Sequence, residues 1–185
     1  RSTDYITSNG INQSDSHMMK NIEWGAVAYL KQSNYGLGIT DITINSNNSY
    51  TGGGSGTSYK TNIGQSTSGN ITGVYDMSGG ALEYVMGNFN KQSGSSGLTV
   101  SGVPVEHIDI YLGTSVAASH LGDATGETAG WYGDYTFFVD ASNTWFTRGG
   151  YSFMNLAQTG IFNFAPSNGE SRNDSGFRTV LSVTK

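Results

Sequence analysis

Trp145-Phe146-Thr147-Arg148-Gly149-Gly150-Tyr151 and, further along, Gly176-Phe177-Arg178-Thr179-Val180-Leu181 are the two stretches on which the reading of this chain turns. The first reads as the end of a strand running into a turn whose glycines are free to take positive φ. The second alternates large residues with small or polar ones and is rich in β-branched side chains, the pattern of a strand. Between them, Tyr151 to Asn168 bring together aromatic, amide and small residues without a single Asp, Glu, Lys, Arg or His. Such a segment can present contact area, but it lacks the usual general acids and bases. The contrast between two stiff ends and this middle points to display rather than catalysis.

Working outward, 185 residues suit one domain with a core large enough to need no covalent staple. There is no cysteine, which excludes a thiol nucleophile, a thiolate zinc site and an iron–sulfur cluster. The formal charge is −5, and only 12% of residues are charged. A chain so poor in Lys and Arg has no footprint for phosphate backbones, so neither nucleic acid nor an anionic membrane is expected as a partner. Twenty-seven glycines against two prolines, with many Ser, Thr and Asn, predict short strands and long loops. This neutral, hydroxyl-rich surface favours an extracellular setting. No apolar run reaches the ~20 residues that span a bilayer. The chain opens on Arg1, neither an initiator Met nor a signal peptide, which leads us to expect part of something longer with any anchor upstream.

Along the chain, residues 1–15 read as a polar lead-in and residues 16–185 as a single domain. Met18, Met19, Ile22, Ala26, Val27 and Leu30 recur at three- and four-residue spacing, with Asp15 or Ser16 placed to cap, and predict a helix over about 16–32. A second helix is expected over about 124–135, ahead of Thr136-Phe137-Phe138-Val139. Alternation marks Ile39 to Ile44, a turn and strand through Gly73 to Gly87, and a short strand through Ile108, Ile110 and Leu112. The glycine run Gly52 to Gly56 has neither the Gly-Lys-Ser/Thr ending of a phosphate loop nor a following helix and reads as a loop. Helix, loops, strands, helix and strands in that order argue α+β, with two helices, short antiparallel strands and extensive irregular loops.

Candidate chemistry is sparse. His107, Asp109 and His120 could form a two-His, one-carboxylate metal set, since His107 and Asp109 would share a strand face. Asp76 with Glu83, or Asp123 with Glu127, could pair for glycoside chemistry, although such acids more often organise turns. Together with Asp134 the same acids offer hard oxygen ligands for calcium, without an EF-hand or nonapeptide pattern. No Gly-x-Ser-x-Gly elbow marks a serine nucleophile. No catalytic residue and no required cofactor is assigned; calcium is the one cofactor candidate, and whether any metal binds is left open.

Asp76-Met77-Ser78-Gly79-Gly80-Ala81-Leu82-Glu83-Tyr84-Val85, Arg148-Gly149-Gly150 and Gly176-Phe177-Arg178 resemble, in order and spacing, three signatures of the formylglycine-generating-enzyme (sulfatase-modifying factor) type of C-type lectin fold. Asn21 to Tyr29 resemble that family's early helix, so the resemblance runs over about residues 16–185. The departures bear on function. The family's oxidases bind copper through a cysteine pair, which this chain lacks; Gly80 and Leu82 stand where those enzymes usually have Asn and Trp. The resemblance therefore implies a non-enzyme of the branch that includes the variable proteins of diversity-generating retroelements, found in phage tail tips and on bacterial surfaces.

That branch carries its ligand-binding positions between the second and third signatures. Carried over, the resemblance assigns ligand contact to Tyr151, Ser152, Phe153, Met154, Asn155, Leu156, Gln158, Asn163 and Ala165. Trp145, Arg148, Gly149, Gly150, Gly176, Phe177 and Arg178 are expected to be scaffold, the two guanidiniums fixing loops through carbonyls or a carboxylate. Gly160, Ile161, Phe162 and Phe164 are expected to be buried beneath them. The expected function is recognition of a protein or glycan on another cell or host surface, with oligomerisation open, at a cell surface or on a virion. The alternative is a structural subunit of a surface or virion assembly, pilin-like or decorating, with the same aromatic surface buried between copies.

Overall fold

The computed structural model describes residues 14–47, 49–151 and 159–183. Strand β1 (Ser14–Met18) leads into the helix α1 (Asn21–Gln32). After a long run of turns come β2 (Leu82–Phe89) and β3 (Asp109–Tyr111). A second irregular stretch precedes β4 (Trp145–Arg148), β5 (Phe164–Ser167), β6 (Ser175–Gly176) and β7 (Thr179–Val183). The class is mixed α+β, with one helix and seven strands among the described residues.

The main sheet runs β3-β2-β4-β5, and β6 shares the edge of β2 with β3. β4 lies antiparallel to both β2 and β5, whereas β3 and β6 run parallel to β2. The sheet is therefore mixed, not antiparallel throughout as expected. Its parallel pairs join segments far apart in sequence, which a reading of local alternation does not detect. β1 and β7 form a separate antiparallel ribbon, from Ser14 opposite Val183 to Met18 opposite Thr179.

That ribbon corrects the first predicted helix. Residues 14–18 are strand because β7, distant in sequence, supplies their backbone partners, and the Met19 N–H continues the link by donating to the Arg178 carbonyl at 2.9 Å. The helix begins only at Asn21, where carboxylates meet its unpaired N–H groups: Glu23 accepts from the Lys20 N–H and Asp109 from the Ile22 N–H, each at 2.8 Å. The face it buries carries Asn21, Trp24, Gly25, Ala28 and Lys31, while Leu30 is exposed. The spacing is helical from Asn21 onward, and Trp24 and Met19 are in the core while Leu30 is not.

The second predicted helix, over 124–135, is absent; turns and one short 3-10 segment (Trp131–Gly133) take its place. Ala124 and Tyr132 hold positive φ of 51° and 57°, outside helical backbone. The Ala124 carbonyl accepts from the Arg148 side chain at 3.0 Å. A tertiary partner thus competes for the backbone that a helix would have used. The alternating stretch Ile39 to Ile44 also forms no strand: Ile42 is buried, Ile39 is exposed, and only a single bridge, Asn45 with Gly79, follows.

The core lies between α1 and the main sheet. Trp24, Met77, Val85, Tyr111, Val139, Phe146, Ile161, Phe162 and Phe164 are all essentially inaccessible. Phe146 packs against Tyr111 and Phe138 with ring centres 4.9 and 5.0 Å apart. Cutting Trp24 or one of the buried phenylalanines back to alanine removes about 3–5 kcal/mol, a large share of a domain's stability. This packed layer holds the second and third sequence signatures in fixed positions.

Candidate functional site

Trp24 is the centre of the frame. Its indole N–H donates to the Ile161 carbonyl at 2.8 Å. The Arg148 and Arg178 guanidiniums lie 5.5 and 5.3 Å from the same indole ring. Cation–π attraction of this kind strengthens once water is excluded. The early helix, Arg148-Gly149-Gly150 and Gly176-Phe177-Arg178 thus meet on one side chain.

The two arginines are held differently. Arg148 is fully buried and donates to Asn21 Oδ1 at 3.1 Å and to the carbonyls of Asp123 and Ala124 at 3.3 and 3.0 Å. Burial lowers its pKa to about 10, which leaves it a cation at neutral pH. Asn21 also donates to the Tyr111 hydroxyl, which in turn donates to Asp123, so the buried charge is bridged to a buried carboxylate. Arg178 makes a two-armed ion pair with Glu83 and donates to the carbonyls of Tyr75 and Asp76 at 3.2 and 3.3 Å. Desolvation raises the pKa of Glu83 despite the arginine, as expected for a carboxylate with little contact to water.

The glycines of the second signature are fixed by shape. Gly149 has φ +81°, and a Cβ there would lie 3.2 Å from the Trp24 ring. Gly150 has φ +67°, and a Cβ there would meet Thr159 at 2.9 Å. The chain therefore leaves the frame at Gly150 and re-enters at Thr159 at contact distance. Asp134 anchors the re-entry by accepting from the Phe162 N–H at 2.9 Å. Desolvation pushes the Asp134 carboxyl up to about 7, although that hydrogen bond and the nearby Arg148 and Lys31 charges oppose the rise.

Of the residues assigned to ligand contact, Ser152, Phe153, Met154, Asn155, Leu156 and Gln158 lie outside the described residues. Tyr151 is half-buried at the exit from the frame. Asn163 is a correction: it is wholly buried, and its carbonyl accepts from the Gly149 N–H at 3.4 Å. An amide between two phenylalanines reads as exposed from sequence alone, yet here it serves the turn that receives the second signature. Ala165 is half-buried in β5 opposite Thr147, whose hydroxyl donates to its carbonyl at 3.1 Å. Gly160, Ile161, Phe162 and Phe164 are buried.

Trp145 is buried, and Gly176 pairs with Glu83 across β6 and β2. Phe177 departs from its assignment, since its side chain is 65% exposed. It borders a largely apolar cavity of about 400 Å³ together with Met18, Tyr84, Met86, Leu98 and Trp145. Alternation along the third signature turns Arg178 inward and leaves Phe177 to this surface.

The predicted metal set is not assembled. Asp109 serves the helix N-terminus, and His120 stacks on Tyr111 with ring centres 4.4 Å apart. The acids considered for calcium or for paired catalysis are taken up in bracing turns: Asp76 and Glu83 border one pocket, and Asp123 and Glu127 both hold the 120–127 loop. Asp76 accepts from Asn45 and the Gly52 N–H; Asp123 from Tyr111, Thr125 and the His120 N–H; Glu127 from the Tyr29 hydroxyl and the Gly122 N–H. A different cluster forms instead from Asp15, His17 and His107. The sequence concealed it because Asp15 and His17 share a face only in a strand, and residues 16–32 read as helix. Comparison with protein-family models, curated proteins and solved structures finds no match to this chain.

Proposed function

We propose that this chain is a C-type-lectin-like domain of the variable-protein branch that binds a protein or glycan outside the cell through the surface beginning at Tyr151. The observation that carries this reading is the closed exit at Gly150 and Thr159, set in a frame where Trp24, Arg148 and Arg178 bind the three sequence signatures together. A segment whose ends are clamped by the core can change its side chains at little cost to the fold, as antibody loops do. The residues between carry Tyr, Phe, Met, Ser, Asn and Gln, which supply contact area and adaptable hydrogen bonds. Without Asp, Glu, Lys, Arg or His from Tyr151 to Asn168, this surface suits recognition and not proton transfer.

The supporting experiment is binding of the chain to arrays of glycans and of cell-surface proteins, with Tyr151→Ala in parallel. The expected outcome is a defined set of bound spots that Tyr151→Ala weakens by about 10-fold or more, in keeping with the cost of truncating an aromatic anchor. Its melting temperature should stay close to that of the parent. A bound set indifferent to Tyr151 would move the site elsewhere. Concentration-dependent self-association abolished by Tyr151→Ala would favour the assembly subunit.

A further inference from the structure

Two imidazoles converge on the carboxylate of Asp15. Its Oδ2 lies 3.1 Å from His17 Nδ1 and 2.7 Å from His107 Nε2. Asp15 and His17 come from β1, and His107 ends a short 3-10 turn (Val105–His107) just before β3. The two imidazoles stack with centres 4.6 Å apart and planes within 10°. On its other nitrogen, Nε2, His17 faces Glu23 Oε1 at 2.9 Å, and Glu23 is itself fixed by the Lys20 N–H. The His17 side chain is 8% exposed and that of Asp15 34%, so the cluster is sheltered but reachable from solvent.

Both nitrogens of His17 meet carboxylate oxygens. A neutral imidazole has one N–H and one lone pair, so a neutral ring must aim its lone pair at a carboxylate. A cation at the Nδ1 side removes that conflict, leaving the Nε2–H to donate to Glu23. This is the carboxylate–histidine–metal arrangement, in which the outer carboxylate fixes tautomer and ring orientation. Two imidazoles and one carboxylate, with all three candidate ligand atoms within 4.8 Å of one another, match the donor set of a divalent transition ion. Tetrahedral ligands at ~2.0–2.2 Å from an ion stand about 3.3–3.6 Å apart, so the Asp15 oxygen, now 2.7 and 3.1 Å from the two nitrogens, would move outward by a few tenths of an ångström to admit one.

We propose that Asp15, His17 and His107 form a binding site for a divalent transition-metal ion of the zinc class, with Glu23 orienting His17. Such an ion clips β1, and with it the β1–β7 ribbon, to the turn ahead of β3. The proposal shares no residue with the recognition surface and stands independently of the reading given to it.

The test is titration of the chelator-treated chain with Zn²⁺ by calorimetry and with Co²⁺ by visible absorption, the latter reporting the ligand field directly. We expect saturable one-to-one uptake, a raised melting temperature with Zn²⁺, and a cobalt spectrum indicative of nitrogen ligation. His107→Gln should abolish uptake while keeping the far-ultraviolet circular dichroism of the parent. Glu23→Gln, which retains an acceptor for the Lys20 N–H, should weaken affinity about 10–100-fold. Absence of saturable uptake by the unaltered chain overturns the proposal. Uptake that His107→Gln leaves unchanged overturns it as well.

Discussion

Asp134 shows at the scale of one residue how the frame is tuned. It is buried beside the chain's re-entry point, and desolvation pushes its carboxyl from an ordinary 3.8 up to about 7. Because the folded state holds the proton more tightly than the unfolded state, folding is favoured while the group is protonated in both, and that advantage falls as pH rises from about 4 to about 7. Asp134→Asn removes the titration while keeping an oxygen for the Phe162 N–H. Chemical denaturation from pH 4 to 8 should show a shallower fall in stability for the variant than for the parent; equal slopes would mean that the carboxyl is not shifted. Single residues were unevenly readable from sequence. Arg148 and Arg178 stand out through the family resemblance and Gly149 also through turn chemistry, whereas the burial of Asn163 depends on a turn built from both sides of the site.

Among the elements, those whose residues fit a single period were readable and those whose residues fit two were not. β4 and β7 show as alternating β-branched and aromatic runs, and the α1 periodicity is helical from Asn21 onward. β1 took a helical pattern because Met18 and Met19 fit both periods, and its true partner, β7, lies at the other end of the sequence. The turns over 124–135 follow from Arg148 claiming the Asp123 and Ala124 carbonyls, an interaction no local window contains. The Arg178–Glu83 pair, mostly shielded from water, ties the residue ahead of β7 to β2. Arg178→Met leaves Glu83 without its partner and the Tyr75 and Asp76 carbonyls without their donor. The expected cost is about 3–5 kcal/mol by urea denaturation; a loss below about 1 kcal/mol would show that the pair does not hold this tie.

For the whole molecule, the order of elements gave the α+β class, while the mixed sheet, the single described helix and the β1–β7 ribbon came only with the tertiary pairing. The same pairing yields a division of labour: a core assembled around Trp24 and two arginines, and a segment that leaves and returns through Gly150 and Thr159. If that division holds, the side chains of the segment are free to vary and the frame is not. The most direct measurement is the melting temperature of a variant in which Tyr151 to Leu156 and Gln158 are replaced together by a Ser, Gly and Tyr mixture, beside Gly149→Val. The Gly149 substitution adds a branched side chain at positive φ against the Trp24 ring and should unfold the domain or melt it far lower. The resurfaced variant should melt within about 2–4 °C of the parent, the equivalent of ~1 kcal/mol in a chain of this length. A drop comparable to that of Gly149→Val would show that the segment is part of the frame and contradict the account.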